Sequence, residues 1–273
     1  MSRPDWTLEL IRRAFPRDMR LMAVTRLPGV GRLVERLLFE GDHLVCLPRD
    51  NTVAVERNLE EPDQMALPTR LIDTLVDRAD HHFIMDFCIC RRSNPCRNYP
   101  VELGCLFMGS ATLDINPDWG RHVSRDQAKA HIRECQKQGL VHFVGKSKLD
   151  TVWLGAGPEA ALFTICNCCP CCCITRGVPY AARRFTEKLH RAPGITVTVT
   201  EDCVGCGACT EGLCVARAIS LENGTAVISD ACLGCGRCAE ACPANAIRVD
   251  LDEEAFFESS LARLCGIVDV FGG

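Results

Sequence analysis

Cys232-Leu233-Gly234-Cys235-Gly236-Arg237-Cys238-Ala239-Glu240-Ala241-Cys242-Pro243 sets three thiols two residues apart, a fourth three residues further on, and a proline directly after it. Three thiolates on so short a loop can face a single metal–sulfide cage, and this is the ligand spacing of a 4Fe-4S cluster in which the fourth cysteine crosses to a second cage. The glycines between the thiols let backbone amides approach the sulfides and donate hydrogen bonds to them. The stretch also has an internal partner. Cys203-Val204-Gly205-Cys206-Gly207 answers Cys232-Leu233-Gly234-Cys235-Gly236, and Ala216-Arg217-Ala218-Ile219 answers Ala244-Asn245-Ala246-Ile247.

This repeat resembles the two-cluster bacterial ferredoxins over about residues 196–250. The resemblance implies one 4Fe-4S cluster on Cys203, Cys206, Cys209 and Cys242, and a second on Cys232, Cys235, Cys238 and Cys214. The first half departs from the pattern: one extra residue precedes Cys214, and Val215 stands where a proline is expected.

Upstream, Cys166-Asn167-Cys168-Cys169-Pro170-Cys171-Cys172-Cys173 packs six thiols into eight residues. Adjacent cysteines cannot bridge each other without strain, so this density points to metal. Cys88, Cys90, Cys96 and Cys105 form an earlier loop spaced C-x-C-x5-C-x8-C, with Pro95, Pro100 and Gly104 keeping its backbone irregular. The paired C-x2-C knuckles usual for zinc are absent from that loop, which favours iron and sulfide. Each loop follows a predicted strand, residues 81–87 and 160–165, so both are aimed from rigid supports. The long run is expected to share ligands with the earlier loop, because neighbours such as Cys168 and Cys169 point apart. Together with Asp86 to Arg91, Gly120 to Ser124 and Gly139 to His142, these runs resemble a group of poorly characterised 4Fe-4S dicluster proteins of anaerobic bacteria. That resemblance spans roughly residues 80–250 and implies electron transfer.

Other elements follow from periodicity and capping. Residues 1–40 read as helices, with eight arginines and five acids among the apolar positions, a pattern suited to covering a sheet or to contact with a membrane surface or partner groove. Residues 43–47 and 52–55 read as a β-hairpin, with Cys46 a core thiol, residues 59–64 as a loop and 68–78 as a helix. Ser124 and Gln127 make a capping box for a helix ending near Gly139. His131 and Cys135 share a face of that helix, a pair that usually only packs. Residues 140–144, with His142, and 149–154 read as strands, 183–190 as a helix, 192–194 as a linker and 195–199 as a strand. The expected fold class is α+β: a small α/β N-terminal unit (1–80), a cysteine-rich iron–sulfur domain (81–190) and a two-cluster ferredoxin module with a C-terminal helix (191–273).

Composition narrows the function. Twenty-one cysteines in 273 residues, without the apolar core and cleavage site of a signal peptide, favour a metal protein of a reducing, cytoplasmic and low-oxygen setting over a secreted disulfide scaffold. Lys and Arg against Asp and Glu number 12 to 14 in residues 1–80, 14 to 9 in 81–190 and 5 to 12 in 191–273. The middle and tail complement each other, or the acidic tail meets a basic redox partner, or both are simply solvated faces. The N-terminal unit lacks the basic face that nucleic acid requires. No transmembrane segment is expected, and Gly155-Ala156-Gly157 followed by Pro158 completes no dinucleotide fingerprint.

Eight thiols belong to the ferredoxin module and ten to the middle domain; Cys46, Cys135 and Cys265 remain. Ten is two more than a pair of cubanes needs. The first functional reading is a multi-cluster electron carrier, or an electron-transfer subunit of a redox complex, with about four 4Fe-4S clusters and protein redox partners. The alternative is an iron–sulfur oxidoreductase whose unusual active site lies at residues 88–105 and 166–173 and is fed by the ferredoxin module. In that case Arg91, Arg92 and Arg97 either bind an anionic substrate or offset cluster charge. A DNA-binding redox sensor is the weakest reading.

Overall fold

A computed structural model describes residues 3–15, 18–54 and 66–271. The expected loop at 59–64 lies outside the described residues. In chain order the strands are β1 (His43–Cys46), β2 (Val53–Ala54), β3 (His82–Met85), β4 (Leu106–Met108), β5 (Gly120–His122), β6 (Val141–Lys146), β7 (Phe163–Cys168), β8 (Leu189–Arg191), β9 (Ile195–Val199), β10 (Ile219–Glu222), β11 (Thr225–Ile228) and β12 (Ile247–Leu251). The α-helices are α1 (Asp5–Ala14), α2 (Val30–Leu38), α3 (Leu67–Arg78), α4 (Ile89–Ser93), α5 (Arg125–Lys137), α6 (Lys148–Leu154), α7 (Arg183–Thr186), α8 (Arg237–Glu240) and α9 (Glu253–Cys265). The fold is α+β, as expected.

A seven-stranded sheet in the order β5-β3-β4-β7-β6-β1-β8 forms the centre. Its pairs are antiparallel except β1 with β8. Strands β3, β4 and β7 are buried almost throughout because both faces are covered. Ile84, Leu106, Val144 and Ile165 meet Leu71, Leu75, Ile132, Phe256 and Leu264 from α3, α5 and α9. On the reverse face Phe83, Met85 and Phe107 pack with Trp119, Trp153 and Leu8 of α1. Helix α5 begins at the expected capping box, with Ser124 and Gln127 each accepting from the other's backbone N–H.

The expected hairpin does not form. β1 pairs with β6 and β8, whereas β2 runs parallel to β12 in a separate sheet, β2-β12-β9. The connecting turn bonds outward instead of across: Leu47 N–H donates to the His142 carbonyl and Arg49 N–H to the Cys235 carbonyl. Arg49 also pairs with Glu240, which accepts from Asn51 as well at 3.0 Å. Residues 1–80 are thereby spread over the molecule, with β1 inside the central sheet, β2 in the three-stranded sheet and α3 against α5 and α9.

Three further expectations need correction. Residues 149–154 are the helix α6, because Ser147 caps it by accepting from Asp150 N–H and Gly155 ends it at φ 67°. The predicted strand at 160–165 starts later, at Phe163, after a short 3-10 turn over Glu159–Ala161. The helix expected over 183–190 stops at Thr186, and residues 189–191 instead extend the central sheet as β8 beside β1.

Candidate metal centre

In the C-terminal region the two halves of the repeat share a backbone trace. Gly205 and Gly234 have φ 67° and 71°, Gly207 and Gly236 have 79° and 81°, and Arg217 and Asn245 have 51° and 50°. These left-handed turns aim amides at sulfur: Ala218 N–H donates to Cys214 Sγ at 3.2 Å, and its counterpart Ala246 N–H donates to Cys242 Sγ at 3.3 Å. The extra residue before Cys214 is taken up by a turn at Gly212, φ 71°, where a Cβ would meet nothing within 4 Å.

Cys203, Cys206, Cys209 and Cys242 line one cavity with Val204, Leu221 and Ile247. Ala226 N–H donates to Cys203 Sγ at 3.4 Å. Four thiols around a common hollow, with N–H groups aimed at their sulfurs, fit an iron–sulfur cage. Its outer edge is open: Cys206 is exposed, and Val204 is 72% exposed. Cys232, Cys235 and Cys238 gather with Cys214, close enough that each neighbouring thiolate pushes Cys238 up after burial has done so, to about 12.

This second set faces inward. The Cys46 thiol hydrogen-bonds to Cys235 and, with the Arg237 charge, lowers it to about 6, while burial drives Cys46 itself up. Arg237 is buried and donates to the Cys168 carbonyl, fixing the loop around Cys235 to the middle loop. The sequence marked Cys46 only as a core thiol, which it is, and did not mark Arg237, which lies hidden among the C-terminal thiols.

The ten middle thiols fall into two groups. Strand alternation turns Cys166 and Cys168 of β7 to one face and leaves Asn167 on the other. There Cys105 stands 3.8 Å from Cys166, and Cys173 stands 3.2 Å from Cys168. Cys90 bonds to Cys173 and to Cys88, so six thiols form a ribbon. Crowding splits their acidities. Cys90 holds Cys88 down at about 7, whereas hydrogen bonds from Cys173 and Cys88 and then burial raise Cys90. The ribbon lines a cavity of about 570 Å³ roofed by Ile11, Phe15, Met22, Val34, Leu38 and Phe39 from the N-terminal helices. The other group comprises Cys96, Cys169, Cys171 and Cys172, whose sulfurs all lie within 4.8 Å of one another.

A buried polar network locks the two loops together. Arg91, 0% exposed, donates to the Asn167 carbonyl at 2.8 Å and to the Leu103 carbonyl. The Asn167 side chain meets the Gly104 carbonyl at 2.7 Å and His142 Nδ1 at 2.8 Å. Burial lowers His142 to about 4, so it is neutral at pH 7. His131 bonds to the Gly104 carbonyl at 2.9 Å, and Cys135 lies 3.7 Å from it. Of the three arginines read as binding an anionic substrate or offsetting cluster charge, Arg91 is committed to this lock. Arg92 stacks on Phe87 at 4.5 Å, and Arg97 is exposed.

A family model described as the 4Fe-4S binding domain matches residues 225–248, from β11 into β12 and across Cys232, Cys235, Cys238 and Cys242. No curated protein and no solved structure matches the chain. The match and the cysteine groups support an iron–sulfur electron-transfer protein. Among the described residues no helix is long and apolar enough to cross a membrane.

Proposed function

We propose that the chain is a multi-cluster electron-transfer protein, or such a subunit of an oxidoreductase complex, of a low-oxygen cytoplasm. In this reading it carries two 4Fe-4S clusters on the ferredoxin thiols and a further iron–sulfur centre on the six-thiol ribbon. The observation that carries the reading is the sequence of contacts from the exposed edge at Cys206 and Val204, through the inner set at Cys235, to Cys46 and the ribbon at Cys168. Electrons enter from a protein partner at the exposed edge and move inward. Cys46 and Cys168, at the inner end of that route, are buried from water.

The apolar cavity beside the ribbon favours the enzymatic version, in which the inner centre reduces a small molecule. Anaerobic iron and acid-labile sulfide should exceed the roughly eight of each that two cubanes hold. Counts that stop at eight sink the multi-centre reading. Candidate substrates that leave the inner centre's EPR signal untouched sink the enzymatic version alone.

The N-terminal helices supply a contact surface. Opposite their cavity face, Trp6, Leu10, Leu21, Leu27, Leu33 and Leu37 are exposed, interleaved with exposed Arg20, Arg32 and Arg36. A basic amphipathic surface of this kind suits the interface of an anionic bilayer. The chain should co-sediment with vesicles rich in phosphatidylserine, and Leu33→Asp with Leu37→Asp should abolish it. Equal sedimentation of that variant would reject the surface.

A further inference from the structure

The four-thiol group is too tight for the centre expected there. Cys171 Sγ lies 3.5 Å from Cys96 Sγ, 3.6 Å from Cys169 Sγ and 3.5 Å from Cys172 Sγ. An ion bound tetrahedrally by thiolates at about 2.3 Å holds its sulfurs about 3.8 Å from each other. A cubane instead spreads its four thiolates over four irons, so they stand apart by the width of the cage. The ferredoxin thiols supply the comparison within this molecule. Among the described residues, no other group of three or more Cys, His, Asp or Glu brings its ligand atoms within 4.8 Å of one another.

We propose that Cys96, Cys169, Cys171 and Cys172 bind a single tetrahedral metal ion, zinc or iron, separate from the iron–sulfur clusters.

The local backbone suits such an ion. The turn at Pro170 returns Cys171 and Cys172 to the side of Cys169, and Cys172 N–H donates to Cys169 Sγ at 3.4 Å. The N–H groups of Asn98 and Tyr99 point at Cys96 sulfur. These amide–sulfur bonds disperse the negative charge that four thiolates leave around a divalent ion. Cys169 and Cys172 are buried, and Cys135, Leu140, Tyr99 and Leu103 close the surroundings. Among the described residues no histidine or carboxylate joins the four thiols. A closed all-thiolate site is structural in type. Its mechanical effect is to pin the loop around Cys96 to the loop around Cys171, 75 residues away. The assignment divides the ten middle thiols into four for this ion and six for the ribbon.

The decisive experiment compares the anaerobically purified full-length chain with Cys171→Ser by metal and acid-labile sulfide analysis. The variant should lose one metal equivalent and no sulfide. Equal losses of several irons and sulfides would overturn the proposal. Should the variant fail to fold, X-ray absorption at the zinc edge and Mössbauer spectroscopy of the wild-type chain decide alone. One zinc with four sulfurs at about 2.3 Å, or one magnetically isolated tetrathiolate iron, supports the site and tells the two ions apart. Iron found only in coupled clusters, with no bound zinc, rejects it. Neither outcome alters the expected iron of the ferredoxin thiols, so the two readings fail independently.

Discussion

Cys235→Ser should remove about four irons and four sulfides from the chain and leave the ribbon centre oxidised when a one-electron donor is supplied. Cys235 is the thiol by which the inner ferredoxin set touches Cys46, and its carbonyl accepts from Arg49 N–H at 3.2 Å. Serine at this position withdraws a soft ligand and leaves the others short of a corner. The outer set, Cys203, Cys206, Cys209 and Cys242, keeps all four thiols and should still accept electrons. The measurement is stopped-flow reduction followed by EPR, with iron and sulfide counted on the same sample. Full cluster content, or a ribbon centre reduced as fast as in the wild type, would reject the contact route. Because ligation contributes to folding, the module should also unfold at lower denaturant.

Arg91→Met should cost about 3 kcal/mol or more of stability, since it strands the buried carbonyls of Asn167 and Leu103 and removes a buried positive charge set among the middle thiols. Burial disfavours the guanidinium charge, but Cys88, Cys169, Cys105 and Cys168 around it more than compensate. In melting temperature that loss corresponds to a fall on the order of 10 °C. Deleting a positive charge beside thiolate-bound metal also lowers the potential of the ribbon centre, because the reduced and more negative state loses its partner. Arg91→Lys keeps the charge but not the two-carbonyl fork, so it should restore the potential more than the stability. If both variants melt with the wild type, the lock is not what holds the loops.

The grouping of the C-terminal thiols was legible because it is local: a loop of seven residues and one crossing cysteine suffice to write it. The middle thiols were legible as candidate metal ligands but not as groups. Cys105 meets Cys166 across 61 residues and Cys96 meets Cys171 across 75, so the sorting depends on the order β3-β4-β7-β6, which no spacing encodes. Helix α6 was misread because its apolar residues also suit a strand, although Ser147, Asp150 and Gly155 carried the cap signals. The hairpin failed for a different reason. Its turn residues found better partners in Cys235 and Glu240, and tertiary contacts override local pairing. Arg91, read as a substrate or charge-balancing residue, proved to be a clamp between carbonyls, a role visible only once residues 103 and 167 are side by side.

The parallel pairing of β2 with β12 joins residue 53 to residue 249, and a single bridge joins Ala79 to Phe271. Elements that leave the ribosome first must therefore wait for partners that leave it last. Until then the thiols of both loops and of the ferredoxin repeat hang on an unclosed chain, accessible to whatever delivers iron and sulfide. Such long-range closure is slow. A chain truncated before residue 247 should therefore accumulate as an open, oxygen-sensitive intermediate instead of a smaller folded protein.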